Sequence, residues 1–87
     1  MPYIKQEDRK KFEQFKEHIK ENVVIETKGE LEYLLTLLLN KYMSTRSANY
    51  SNLHDCAYSC IHAGEEFKRR RLDEREDWAI RENGDVL

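Results

Sequence analysis

Proline occurs once in this chain, at Pro2. From Tyr3 onward no residue therefore both lacks a backbone N–H and clashes with a preceding helical turn. Glycine is almost as sparse, at Gly29, Gly64 and Gly84. With so few breakers in 87 residues, and no internal repeat or low-complexity tract, long helices are the default expectation.

Hydrophobic spacing divides the chain into three such helices. From about residue 7 to 22, Phe12, Phe15, Ile19 and then Val23 recur at three- and four-residue steps, while Lys10, Lys11, Glu13, Glu17 and Glu21 take other positions. Thr27-Lys28-Gly29-Glu30 has the form of a capping box and predicts a second helix over residues 28–43. Leu31, Leu34, Leu35, Leu38, Leu39 and Tyr42 share one broad face of it, yet Tyr33 and Leu37 lie opposite. A helix apolar nearly all round is a buried one, so it is expected between the other helices, or between them and a second subunit.

Ser44 to Asn49 reads as a polar loop, with a new start at Ser51. The third helix, residues 51–82, is the longest. Leu53, Ala57, Cys60, Gly64, Phe67, Arg71, Glu74 and Trp78 follow alternating four- and three-residue steps along one stripe. Ala57, Cys60 and Gly64 are small enough to let the second helix approach, whereas Arg71 and Glu74 are poor core residues. A kink, a frayed end or a partner contact is expected beyond Phe67 or Leu72. Asn83-Gly84 is the stop, since both residues tolerate the left-handed conformation of a helix C-cap.

The fold class is thus all-α, a three-helix antiparallel arrangement with a long C-terminal helix, in one domain over residues 1–87. A chain this short buries only about 60–65% of its unfolded surface, so small domains usually add a disulfide, a metal or a partner subunit. The N-terminal Met1-Pro2-Tyr3-Ile4-Lys5-Gln6 lacks the basic-then-apolar pattern of a secretory signal, which places the protein in the cytoplasm with Cys56 and Cys60 as free thiols. His54, Cys56, Cys60 and His62 do not form a metal site: the cysteines fall about 40° apart on a helix and the histidines about 120–160° from the nearer cysteine. A partner remains, and a homo-oligomer is the expectation.

Chemistry is harder to find. Cys60 on a packing stripe would be a desolvated, poorly nucleophilic thiol. Glu65-Glu66, Asp73-Glu74 and Glu76-Asp77 are carboxylate pairs among basic neighbours, as on a solvated helix face. No enzyme, metal or cofactor is expected. The longest apolar runs, Val23-Val24-Ile25 and Leu37-Leu38-Leu39, fall far short of the roughly 18 residues that cross a bilayer. A formal net charge of -2, spread evenly along the chain, argues against binding nucleic acid through bulk charge.

Two groups of residues remain as candidate sites. Lys68-Arg69-Arg70-Arg71 is the only basic run, and Arg69 shares a helix face with Tyr58, His62 and Glu65. An aromatic ring, an imidazole and a guanidinium on one face can stack a base and hold a phosphate. The competing reading is a salt-bridged surface in which Glu65 pairs with Arg69. Tyr50, Ser51 and His54 sit where helix three opens, with Ser51 as the expected cap and its free N–H groups as an anion contact. Arg71, Glu74 and Trp78 form the second group, since a tryptophan amid charges is a candidate anchor for a protein partner.

Pro2-Tyr3-Ile4, Gly29-Glu30-Leu31-Glu32-Tyr33, Tyr50-Ser51-Asn52-Leu53, Glu66-Phe67 with Arg69-Arg70, and Glu82-Asn83-Gly84-Asp85-Val86 together resemble a family of short, mostly uncharacterised phage and prophage proteins. The resemblance spans nearly the whole chain. Members often carry proline where Glu74 stands, which would bend the last helix; this chain lacks it. A phage setting implies an accessory protein, and such proteins often disarm host defence, some as oligomers that sequester nucleotide immune signals. The leading expectation is therefore a homo-oligomer in the host cytoplasm that binds a cyclic ADP-ribose relative or a cyclic dinucleotide without turnover. In that reading Arg69 and Arg70 hold phosphate, and Tyr50, His54 or Tyr58 meet the base. The alternative is an adaptor or inhibitor of a host protein, acting through the exposed end of helix three.

Overall fold

The computed structural model describes residues 2–87, and every regular element among them is helical. Helix α1 covers residues 6–22 and is not uniform. A 3₁₀ turn at Lys10–Phe12, where the Glu13 N–H reaches the Lys10 carbonyl, joins Gln6–Arg9 to Glu13–Asn22. Helix α2 is Lys28–Met43. Helix α3 covers residues 50–83, as Tyr50–Phe67, a π-turn at Lys68–Leu72, and Asp73–Asn83. At 1.5 Å per residue α3 is about 50 Å long. It accounts for the longest dimension of a molecule measuring 50 × 35 × 30 Å.

Local chemistry fixes the helix ends. The Glu30 N–H donates to Thr27 Oγ1 (3.1 Å), and Glu30 Oε1 accepts from the Thr27 N–H (3.0 Å), so the capping box read from the sequence is formed. The same carboxylate takes the Glu26 N–H at 2.7 Å. Helix α3 starts differently from expectation, at Tyr50. Its cap is Asn49, whose Oδ1 accepts from the Asn52 N–H at 2.8 Å, and Asn52 Nδ2 ties the turn to the Ser47 carbonyl at 3.0 Å. Ser51 is not the cap and lies in the first turn. At the far end Gly84, with φ +90°, supplies the left-handed residue, and its N–H bonds the Ile80 carbonyl at 2.8 Å.

Only the hairpin of α2 and α3 packs as a core. Asn52, Cys56 and Cys60 on one ridge of α3, and Leu39, Tyr42 and Met43 on α2, are less exposed than their neighbours, and Cys56, 6% exposed, is the single buried residue among the described residues. Its thiol donates to the Leu39 carbonyl at 3.4 Å. The expected contact through Ala57 and Gly64 is not made: Ala57 is exposed, and a methyl group built on Gly64 would meet nothing within 4 Å. The i+4 ridge, rather than the 3.5-residue stripe, faces α2, and between Cys60 and Glu66 every α3 residue is exposed. Nor is α2 enclosed by its own chain. Leu31, Leu37 and Leu38 are each about half exposed, because α2 has a close helical neighbour only at its C-terminal end.

The π-turn corrects the long stripe. The Asp73 N–H bonds the Lys68 carbonyl five residues back, so this turn takes up one residue more than an α-turn. Beyond it, the positions a uniform helix would give to Arg71, Glu74 and Trp78 pass to Leu72, Arg75 and Ala79. The line thereby exchanges the charged Arg71 and Glu74 for Leu72 and Arg75, and Trp78 for Ala79, which is half-buried.

The chain is open for its size. Its Cα radius of gyration is 16.8 Å, against about 12 Å for a compact domain of this length. Its accessible surface is 8184 Å², whereas a folded monomer of this length exposes about 5,400 Å². The chain thus exposes about 2,800 Å² more than a compact monomer of its length.

Candidate functional site

Four rings at four-residue spacing run along the first half of α3. Tyr50 and His54 have centroids 5.7 Å apart at 32°, His54 and Tyr58 are stacked at 4.2 Å and 19°, and Tyr58 and His62 meet edge-on at 6.1 Å. Successive i+4 positions advance by about 40° round a helix, so the ladder winds slowly along the exposed side of α3. Asp55 lies beside it, with a carboxylate oxygen 3.6 Å from His54 Nδ1.

The ladder leads to a cluster that the N-terminal segment closes. Residues 2–5 pass over α3 at the start of the π-turn. There the Tyr3 hydroxyl donates to Glu66 Oε1 at 2.9 Å, and Arg69 donates to both oxygens of the same carboxylate, through Nε at 3.2 Å and through a shorter contact from its terminal nitrogen. Farther back, Arg9 Nε holds the segment through the Ile4 carbonyl at 2.9 Å. Arg69 first and Tyr3 second hold the Glu66 carboxyl below the usual glutamate value, and Glu66 in turn raises Arg69. The Glu66 side chain is only 17% exposed, unusual for a carboxylate on this chain.

Two open hollows flank the segment. One, of about 410 Å³, is lined by Pro2, His62, Glu65, Glu66 and Arg69. The other, of about 240 Å³, is lined by Pro2, Tyr3, Ala63, Glu66, Phe67, Arg70 and Arg71. His62 thus joins the ladder to the first hollow. The expected pairing of Glu65 with Arg69 is replaced by one with Glu66, at i−3 instead of i−4. Arg70 engages in no ion pair among the described residues, whereas Lys68 is tied to Asp73 at 2.8 Å, which raises its pKa.

A family model described as a domain of unknown function, DUF6899, matches residues 1–86. The chain belongs to the DUF6899 family. No curated protein and no solved structure matches it. In this DUF6899 chain no helix among the described residues is long and apolar enough to cross a membrane, and no three His, Cys, Asp or Glu side chains there are grouped to hold a metal ion.

The sequence-derived positions therefore separate. Tyr50, His54, Tyr58 and His62 form one array, Arg69 and Arg70 line adjoining hollows at its end, and Ser51 stands apart from both. Trp78 is 43% exposed, with the Arg75 guanidinium 4.7 Å over its ring. Arg71 lines the second hollow, and Glu74 is exposed. Pro2, Tyr3 and Glu66 escaped sequence reasoning. Tyr3 and Glu66 lie 63 residues apart, and no periodicity connects an N-terminal tyrosine to a helix so distant.

Proposed function

We propose that this DUF6899 protein is a homo-oligomeric phage accessory protein, acting in the cytoplasm of a bacterial host, that binds a small anionic nucleotide signal and sequesters it without chemical turnover. The observation that carries the reading is the continuous ring ladder ending beside guanidinium groups. Aromatic and imidazole faces accept a purine by stacking, at about 1–3 kcal/mol per base in single-stranded nucleic-acid sites. Guanidinium groups accept phosphate in bidentate fashion. Arg69 is already engaged by Glu66, so Arg70 is the cation assigned to the phosphate, while Tyr58, His54 and His62 take the base.

Calorimetric titration of cyclic ADP-ribose relatives and cyclic dinucleotides into the purified full chain tests this. Binding is expected, and Arg70→Ala should weaken it by at least about tenfold, or about 1.4 kcal/mol. A folded protein that gives neither heat nor a melting shift with any of them sinks the reading. The second reading, an adaptor for a host protein, draws on the half-exposed Trp78, and burial of that residue between two copies would remove its support.

A further inference from the structure

We infer that the apolar groove between α1 and α2 is the seam of a two-fold homodimer, closed by the same face of a second copy of this chain. The groove, about 460 Å³, is lined by apolar side chains with His18 as its one polar member. Phe15, Ile19 and Val23 form one wall, and Leu31, Leu34 and Leu38 the other. Both walls repeat at three- and four-residue steps, the spacing at which one helix receives another. Leu38 remains 52% exposed in the single chain.

The missing area selects the occupant. The uncovered excess of about 2,800 Å² per chain, about 5,600 Å² over two copies, lies at the upper end of obligate homodimers, which bury some 2,000–5,000 Å² or more in total, and exceeds the roughly 800 Å² per partner of a standard association. That excess belongs to the fold itself and not to one binding event, since among the described residues the core of the single chain holds one buried residue, Cys56. A partner always present in step with the chain is another copy of it. The lining also has the composition of an obligate seam, apolar and free of charge at its centre. A two-fold axis places α1 and α2 against their counterparts, so that two half-open layers become one four-helix layer. Both ring ladders then lie on α3 helices outside the seam.

This seam rests on the oligomeric part of the function proposed above and is independent of the ligand, so the experiment reads the two separately. The full chain carrying p-benzoylphenylalanine in place of Phe15 is weighed by light scattering, irradiated and mapped by mass spectrometry, beside a sample labelled in place of Tyr58. The expected result is a dimer with chain-to-chain links from position 15 into residues 12–38, and none from position 58. Leu38→Glu should raise the dimer dissociation constant more than about a hundredfold, since each seam would bury two unpaired carboxylates. A monomer, an oligomer linked through the last turns of α3, or a complex only with another protein overturns the seam. A dimer linked as expected that binds no nucleotide supports the seam while removing the ligand, and a monomer that binds nucleotide does the reverse.

Discussion

The two ends of α3 are built by different means. Near its start, Asn52, Cys56 and Cys60 pack on α2, and the loop between is tied by Ser44, Arg46, Asn49 and Asn52, with the Arg46 guanidinium 3.6 Å from the centre of the Tyr42 ring. From Phe67 onward, among the described residues, no other helix packs closely alongside. That half is held by side-chain ion pairs, Arg69 to Glu66 and Lys68 to Asp73, and by the Tyr3 hydroxyl. The first end is a small core, the second a solvated helix with a strap. Apolar burial makes a structure tolerant of its surroundings, whereas exposed charge pairs are individually weak and responsive to solvent.

The largest effect should come from breaking the packed end. Cys56→Asp puts a charge at the one buried position among the described residues, and a loss of about 3 kcal/mol or more is expected in urea unfolding followed by circular dichroism. A loss below about 1 kcal/mol would show that the hairpin is no core. Phe67, 68% exposed, is the control on the other end. Phe67→Ala should change stability by no more than about 0.5 kcal/mol in the same assay, and a larger loss would mean that an assembled partner covers it.

The smallest effect sharpens the contrast through pH. The Glu66 carboxyl is held below its ordinary value, by Arg69 and then Tyr3. Its contribution is therefore complete above the unfolded value of about 4.3 and is lost as pH falls through the lower folded one. The Tyr3 ring resonances should keep their folded positions at about pH 5 and drift toward unfolded values only below about pH 4. Cys56 resonances should stay fixed over the first part of that drift. Simultaneous movement of both would mean that strap and hairpin are one cooperative unit.

Local signals in the sequence carried the helices well. Thr27 and Glu30 cap α2 as their spacing predicts, Gly84 ends α3, and the observed ranges 6–22, 28–43 and 50–83 lie within a residue of those expected. What failed depended on competition between equivalent neighbours. Asn49 and Ser51 are both good caps, and Asn49 won because Asn52 reaches back to Ser47. Cys56 and Cys60 both face α2, but the i+4 ridge buries the first more deeply. The ring ladder was only partly legible: Tyr58 and His62 were placed together, whereas the stacking of His54 on Tyr58 and its tilt toward Tyr50 need side-chain torsions. The Tyr3 contact needs tertiary structure altogether.

The π-turn at Lys68–Leu72 has a consequence for how this stretch tolerates changes of length. A π-turn is the form a helix takes when it accommodates one inserted residue, leaving the segments on either side in their former azimuth. Losing any one residue between positions 68 and 72 would restore an ordinary α-helix without rotating Trp78 or Ile80 about the axis. Relatives one codon shorter here would superpose on both halves of α3, and an alignment should place its gap within the basic run. Deletion elsewhere in the helix would swing everything after it by about 100°. The arginine cluster is thus the joint at which this helix can change its residue count and keep its aim.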